Sequence, residues 1–433
     1  MSAAGAAPQF DVAIVGGGVV GAAMAALLAT EGRLDPSRVL LLERDWPAPP
    51  APGEAWDLRV SALSRASQQI LTACDAWSRL DVRRIARYER MQIWHEDIPA
   101  DSDAALVFDA AALGEADLGC IVENRAVQAA LLAAFAAAGG SRLSASLTGL
   151  DVGPDAATLQ TDAGERRVRL CIGADGAGSA VRAAVGIEAV QRDYGQRAFV
   201  ATVATGKPHR DTAWQCFLAT GPLAFLPLAD GHCSIVWSVV LDEAARLQAL
   251  DDAQFAAALT LASDGALGTL RLVGSRASFP LRSLQAQRYA TTRCALIGDA
   301  AHVIHPLAGQ GVNQGLLDAA ALCEAIADRP PREDPGAQHV LRRYERQRRS
   351  GNLMMATVVD RFDALFTGAP SLGGRIARDA LRLVNGSDMT KQFFIRRAMG
   401  LAGDRPRFVT PRSSVTRSAL IRSGAADPPS QRR

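Results

Sequence analysis

Residues 296–318 read LIGDAAHVIHPLAGQGVNQGLLD. The pattern is a strand (Ala295–Gly298), a turn with one acid (Asp299), a glycine-rich loop and then a helix. The loop holds Pro306, Gly309, Gln310 and Gly311. Small residues there let backbone come close to a flat ligand. Amides opening the next helix would face that ligand with partial positive charge. A flavin has this need, because its reduced form carries negative charge at the N1–C2=O edge. Asp299 suits a hydroxyl on the ribityl or phosphate side. Taken alone, such a loop is more often an ordinary tight turn, so the reading depends on the rest of the chain.

The matching half lies near the N-terminus. Asp11–Val15 is a short apolar strand run, followed by Gly16-Gly17-Gly18-Val19-Val20-Gly21 and an alanine-rich helix. This is G-x-G-x-x-G with a strand before it and a helix after it. Gly16 permits the tight turn, Gly18 admits a pyrophosphate and Gly21 lets helix and strand pack. A second strand, Val39–Leu42, ends in Glu43, roughly 20 residues beyond the glycines, where such folds hold a ribose 2′-OH. Glu43 would repel an adenosine 2′-phosphate, so bound NADP is disfavoured. A third segment, Cys171–Arg182, reads CIGADGAGSAVR. A strand over Val168–Ile172 leads there into Gly173, Asp175, Gly176 and Ser179. Alone it reads as a surface turn; after the other two it reads as part of the same site.

These segments together resemble the single-component flavin aromatic hydroxylases, and among them the ubiquinone-biosynthesis hydroxylases. The resemblance runs from about Phe10 to Pro406 and is carried by GGGVVG, Glu43, RVSALSRAS (Arg59–Ser67), ENRAVQAAL (Glu123–Leu131), GADGAGSAVR, YGQRAFVATV (Tyr194–Val203), GPLAFLPL (Gly221–Leu228), GDAAHVIHPLAGQGVNQG and AMGLAGDRP (Ala398–Pro406). One departure is Gln314-Gly315, where that branch more often has Leu-Gly. The expectation is little consequence, with the position on the helix and away from the flavin.

The resemblance implies bound FAD, with NAD(P)H as a transient reductant, since only one dinucleotide fingerprint is present. It implies OH transfer from a flavin C4a-hydroperoxide to the ring of a polyprenylated phenol, with O2 as co-substrate. Arg59 resembles an arginine near FAD on the substrate side; the alternative is a surface ion pair. Arg125 and Gln128, one helical turn apart, resemble contacts to the pyrophosphate region; the alternative is an exposed helix face. His305 and Pro306 are expected over the flavin edge, followed by Gly309, Gln310, Gly311, Val312 and Asn313. The alternative for His305 is a packed histidine with a backbone hydrogen bond. Asp175 is expected at the cofactor. Trp214, Phe217, Phe225, Leu226, Pro227 and Trp237 are candidate walls of the substrate pocket, although aromatic residues on a sheet are more often plain core.

The expected architecture is α/β: a Rossmann-like FAD-binding domain, an inserted antiparallel β-sheet substrate domain and C-terminal helices. The FAD-binding parts are placed at 10–85, 113–187 and 284–330, and the substrate parts at 86–112 and 188–283. A helical region is placed at 331–409 and a disordered tail at 410–433. Tyr88–Trp94, Ala198–Val203, Trp214–Leu218 and Cys233–Val240 read as strands by alternation. Ala129–Ala138 reads as a buried helix. Tyr344, Leu353, Val358 and Phe362 fall near helical spacing in the C-terminal region.

Composition agrees with a large enzyme. The chain has 433 residues, 48% of them apolar, and a net charge of +2. Nothing there points to nucleic acid. Positive charge is concentrated beyond Arg329, in Arg342–Arg349 (RRYERQRR) and Arg396-Arg397, which could meet an anionic membrane surface or only solvent. Seven cysteines without a CxxC spacing suggest reduced thiols and a cytoplasmic setting. Peripheral attachment to the inner face of the membrane, or a quinone-biosynthesis complex, would deliver an insoluble substrate. The N-terminus does not read as a secretory signal. His302 and His305 are the one close histidine pair, with no cysteine or carboxylate cluster, so no metal is expected. Competing readings are a hydroxylase of another aromatic metabolite, an isoprenoid reductase or a halogenase on the same scaffold, and a non-catalytic FAD-binding subunit. The two lysines, Lys207 and Lys391, fall in no halogenase-like position. The intact HPLAGQG loop argues against a scaffold subunit.

Overall fold

The computed structural model describes residues 7–51, 53–305, 309–366 and 406–409. In chain order the first elements are β1 (Phe10–Val15), α1 (Val19–Glu31), β2 (Val39–Glu43), β3 (Val60–Ser64), α2 (Arg65–Ala73), β4 (Ala86–Tyr88), β5 (Arg90–His95) and β6 (Leu106–Asp109). Then come β7 (Gly119–Glu123), α3 (Asn124–Ala137), β8 (Ser141–Ser144), β9 (Leu147–Val152), β10 (Ala157–Thr161), β11 (Arg166–Gly173) and α4 (Ala180–Ala184). Next are β12 (Ala189–Thr205), β13 (Thr212–Leu218), β14 (Gly221–Pro227), β15 (Cys233–Val240), α5 (Leu241–Ala249), α6 (Asp252–Ala262) and β16 (Leu270–Ala286). The last are β17 (Ala290–Thr291), β18 (Cys294–Leu296), β19 (His302–Val303), α7 (Gln310–Ala327) and α8 (Gln338–Phe366).

The first sheet runs β17-β18-β11-β1-β2-β8, with β10 and β9 added beside β11. β18, β11, β1, β2 and β8 are parallel neighbours. Parallel strands are covered on both faces, so they read as continuous apolar runs. VLLLE in β2 and FDVAIV in β1 have that form. α1, α3 and α7 pack together in this layer's core. α1 is buried on nearly every side, which its string of alanines permits.

The second sheet runs β19-β16-β12-β15-β14-β13-β5-β6. It is antiparallel except where β13 meets β5 in parallel. That exception arises because β5 comes from an earlier insertion and joins the edge of strands formed later in the chain. Period-two alternation divides its residues between two faces. Trp94, Phe199, Leu223, Phe225 and Trp237 pack with Phe255 and Leu259 of α6. α6 begins with a capping box between Asp251 and Gln254. Ala213, Phe217 and Leu226 share the opposite face with Met91 and Ile93, against Val60, Ala62 and Ile121.

Several details differ from the sequence reading. Tyr88–Trp94 is two strands in different sheets. β4 pairs with β7, and the chain breaks at Glu89, whose amide donates to Asp211, before β5 starts. The C-terminal helix is described over Gln338–Phe366, and the expected helix over 367–405 lies outside the described residues. Phe408 and Val409, at the end of the expected helical region, are buried in the core of the first layer. The 410–433 segment lies outside the described residues.

Candidate functional site

The loops after β1, β2, β11 and β18 all leave the same carboxyl edge of the parallel sheet, where folds of this type place ligands. Gly16 has φ +103°, and a Cβ there would meet Ala174 O at 2.4 Å. A Cβ on Gly21 would meet Gly16 O at 1.9 Å. These two glycines are required by the protein's own packing. Gly18 is different, because a Cβ there meets nothing within 4 Å. Internal packing leaves that space open, and a pyrophosphate over the turn needs it open. FAD therefore fits this cradle.

The middle glycine, which the fingerprint leaves unassigned, is held from both sides. Gly17 N donates to Glu43 Oε2 at 2.7 Å, and Gln128 Nε2 donates to Gly17 O at 2.6 Å. Glu43 Oε1 also accepts from Arg44 N at 2.8 Å. Glu43 and Gln128 thus stand beside the turn. Arg125 is tied instead to Glu54 at 2.6 Å and lies 3.7 Å from Asp57. Its Nη2 is engaged by Glu54, while Nε has no hydrogen-bond partner among the described residues. Asp175 receives Ser179 Oγ at 2.5 Å and Val181 N at 3.1 Å. Both its oxygens serve the start of α4, which it caps.

Asp299 lies in the short turn Gly298–Ala300 and is exposed. The protein around it nevertheless desolvates it and raises its pKa above the ordinary aspartate value, against the pull of His302 and Arg59. It is within electrostatic reach of Arg59. Arg59 is itself exposed, and its backbone joins Asp57 and Asn124. Arg182, buried in the third motif, fastens this turn: Nη1 donates to Ala300 O at 2.9 Å and Nη2 to Ala177 O at 2.7 Å.

α7 begins at Gly309, which is left-handed (φ +59°) and sits against Ala62. The first-turn amides of a helix lack intrahelical acceptors, so Gln310, Gly311, Val312 and Asn313 present an N–H-rich end. A Cβ on Gly311 meets nothing within 4 Å. The Asn313 side chain is buried and fully bonded inside the protein. Its Oδ1 accepts from Ser64 N at 2.9 Å and Ser67 Oγ at 2.6 Å, and its Nδ2 donates to Ala62 O at 2.8 Å and Gly309 O at 3.2 Å. It is a clamp, and only its backbone is left to face a ligand. Pro306 lies outside the described residues.

His305 is buried. Its Nε2 lies 3.0 Å from Gln196 Oε1, and its ring stands edge-on to Tyr194 at 4.9 Å. It thus has a side-chain partner on β12. Tyr194 and Gln196 were not singled out as site residues, although YGQRAFVATV contains them.

The expected pocket wall divides by strand parity. Trp214, Phe225 and Trp237 point to the face covered by α6, and Pro227 shares their register. They are core on the far side of the sheet. Phe217 and Leu226 are on the near face, in the apolar cluster that also takes in Ala62, the residue against which Gly309 sits. Ala224, between Phe225 and Leu223 in sequence, is on the near face by the same alternation. A cavity of about 810 Å³ opens on the far side between α6 and β16, lined by Ala253, Ala256, Ala257, Leu261 and Leu272 among others. It lies away from the glycine loops.

The basic stretch of α8 also divides. Arg342, Arg346 and Arg349 are exposed, whereas Arg343 pairs with Asp328 at 2.8 Å and Arg348 is buried against Asp318. Arg348 therefore cannot serve as a surface charge. Gln314, expected to have little consequence, is buried and accepts from Arg348 Nη2 at 2.9 Å. Asp318 was missed, although a lone acid within the apolar run GLLDAAAL is a legible signal.

Comparison with known proteins agrees with this geometry. The FAD binding domain family matches residues 9–358. The chain is 37% identical to the 3-demethoxyubiquinol 3-hydroxylase of Escherichia coli, over 82% of this chain and 90% of that protein. It is 36% identical to the ubiquinone hydroxylase UbiL of Rhodospirillum rubrum, over 90% of this chain and 89% of that one. The ubiquinone biosynthesis monooxygenase COQ6 of Xenopus tropicalis is 35% identical, over 82% and 86% of the two chains. Among solved structures, p-nitrophenol 4-monooxygenase from Pseudomonas putida superposes with a TM-score of 0.71 at 18% identity, over 92% of this chain and 99% of that one. This last likeness concerns the fold.

Proposed function

This chain belongs to the FAD binding domain family and, within it, to the ubiquinone-biosynthesis hydroxylases, and from that premise we propose that it hydroxylates the aromatic ring of a polyprenylated phenol. It is an FAD-dependent monooxygenase. NAD(P)H visits to deliver two electrons. One oxygen atom of O2 enters the ring and the other leaves as water.

The observation that carries this reading is the meeting of the glycine cradle with an apolar wall. Gly309 opens α7 against Ala62, and Ala62 shares one apolar cluster with Phe217 and Leu226. A ring held there would lie between the amide-rich end of α7 and the near face of the second sheet. Bound FAD supplies the redox and oxygen chemistry. The protein's own residues would hold and orient it: Gly16, Gly18 and Gly21 would make room for the pyrophosphate, Glu43 would take a ribose hydroxyl, and Asp299 a ribityl hydroxyl. Amides of Gly311 and Val312 would meet the N1–C2=O edge. Arg59 lies on the substrate side.

Purified protein given NADH or NADPH, O2 and candidate prenylated phenols should consume oxygen and yield a ring-hydroxylated product. Substrate turnover without oxygen uptake would point to the reductase alternative. Deleting the gene and identifying the accumulated quinone precursor would fix the ring position.

The substrate's tail partitions into lipid, and among the described residues no helix is long and apolar enough to cross a membrane. Delivery at an anionic membrane surface has a candidate in α8. Arg342, Arg346 and Arg349 are exposed, and Leu353, Met354 and Val358 follow, also exposed. A cationic stretch with apolar residues after it suits a lipid interface. A quinone-biosynthesis protein complex is the alternative source of substrate. Arg396 and Arg397 lie outside the described residues.

A further inference from the structure

α7 is apolar through most of its length, yet it places one carboxylate, Asp318, where solvent does not reach. Each oxygen of that carboxylate has two donors. Oδ2 accepts from Gly298 N at 3.1 Å and from His302 Nε2 at 2.5 Å. Oδ1 accepts from Arg348 Nε at 2.8 Å and from Asn352 Nδ2 at 3.0 Å. Arg348 is buried too, and its Nη2 donates to Gln314 Oε1 at 2.9 Å and Asn352 Oδ1 at 2.8 Å. His302 stacks on Tyr289 with centroids 5.6 Å apart. Burial by itself would raise the pKa of Asp318, but His302 and Arg348 outweigh it and hold the value at about 2. The carboxylate is therefore charged inside the core.

Packing alone does not call for this arrangement. A buried ion pair is often no better for stability than apolar side chains of the same volume. An apolar pair could join α7 to α8, but it could not bond Gly298 N. Gly298 has φ +58° and lies between Asp318 and Val20, where a Cβ would come within 3.2 Å of the valine. The residue after it is Asp299. The turn that presents Asp299 is thus suspended from Asp318, which Arg348 in turn holds from α8.

We propose that Asp318, held by Arg348, is a positioning residue for FAD: it fixes the Gly298–Ala300 turn and so the direction in which Asp299 faces the cofactor. This rests on the reading that the turn contacts FAD. His302 and Gln314 belong to the same set, the first as a second donor to Asp318 and the second as a brace on Arg348.

The test is the double variant Asp318→Leu/Arg348→Met, in which both charges leave together. Three quantities are measured: the unfolding temperature of the apoprotein, the Kd for FAD by fluorescence quenching, and the visible circular dichroism of bound flavin. The apoprotein should melt cooperatively near the parent temperature. The Kd should rise about tenfold or more, equivalent to the loss of roughly one charge-assisted hydrogen bond, and the dichroism should change. A folded double variant with unchanged Kd and dichroism overturns the proposal. Should the double variant fail to fold, Gln314→Leu decides. It leaves every bond of Asp318 in place and removes one acceptor from Arg348. A Kd raised a few-fold supports positioning, and an unchanged Kd overturns it. Asp299→Ala is the control for the premise. If it leaves FAD binding unchanged, the turn is not a cofactor contact; if it weakens binding while the double variant does not, the positioning role alone fails.

Discussion

Asn313 Oδ1 accepts the backbone N–H of Ser64 at 2.9 Å, joining the start of α7 to the end of β3. Its three other bonds hold Ser67, Ala62 and Gly309. The RVSAL segment and the glycine loop are far apart in sequence, and this one amide sets their spacing. Asn313→Ala would leave the Ser64 amide and two carbonyls without that partner. The expected cost is on the order of 2–4 kcal/mol in denaturant unfolding, together with faster loss of FAD. Unchanged stability and retention would show that water or a shifted backbone takes over the bonds.

The glycines of the first turn should respond differently to substitution. Gly18→Leu enters open space, so the apoprotein should keep its unfolding temperature within a few degrees while losing FAD. Gly21→Ala pushes a methyl onto Gly16 O and should lower apoprotein stability itself. The released cofactor should be FAD and not FMN, since the fingerprint and Glu43 serve an adenosine half. A yellow Gly18→Leu protein would contradict this assignment.

Asp299 gives an effect of opposite sign in the two forms of the protein. Although its side chain reaches the surface, the surrounding protein desolvates it and raises its pKa. A carboxyl whose folded pKa exceeds its unfolded one favours the fold while protonated, and loses that contribution as pH rises through the folded value. Asp299→Ala apoprotein should therefore lose less stability than the parent as pH increases through the acidic range. The same change should weaken FAD retention by removing one or two charge-assisted hydrogen bonds, each about 1.5–3 kcal/mol. Melting curves across pH, with and without FAD, separate the two effects.

The two faces of the second sheet should separate kinetics from stability. Phe217→Ala and Leu226→Trp alter the near face, and each should raise KM or change the position of hydroxylation. Trp237→Phe alters the far face. Among the described residues, Trp237 Nε1 has no hydrogen-bond partner, so its loss should cost under about 1.5 kcal/mol. Steady-state kinetics of Trp237→Phe should match the parent.

Arg346→Ala and Arg349→Ala should reduce flotation with anionic vesicles at low salt, each by roughly 1 kcal/mol near the surface. Arg348→Ala should act instead on stability, because it strands Asp318 in the core. Absence of vesicle binding at low salt would favour delivery by a protein complex.

The nucleotide-binding edge was legible because its glycines are required by covalent geometry and close contact, and those requirements show in sequence. Gly16, Gly21 and Gly309 are of that kind. The second sheet was legible as strands, but the function of its aromatics was not. Size drew attention to Trp214, Phe225 and Trp237, whereas parity within each strand decides which face a residue lines. Leu226 and Phe225 are neighbours in sequence and opposite in direction. Asn313, Asp175 and Arg348 share another difficulty. A polar residue in a motif reads as a ligand contact until its partners are known, and theirs are the amide of Ser64, the cap of α4 and the carboxylate of Asp318. His305 has the same difficulty, since its partner Gln196 on β12 is far from it in sequence.

The order of the first sheet also bears on how the chain can be made. β11 pairs with β1 on one side and, over Cys171–Gly173, with Cys294–Leu296 of β18 on the other. Between β11 and β18 the chain builds most of the second sheet. During synthesis the strand edge at Cys171–Gly173 therefore stays unpaired until that whole insertion has emerged. Such long-range pairing is slow and exposes apolar edges to aggregation. A fragment cut before Cys294 would lack the closing strand together with α7, so the cofactor layer cannot be produced as an independent piece. On the ribosome, the part of the gene read first is among the last to become a finished sheet.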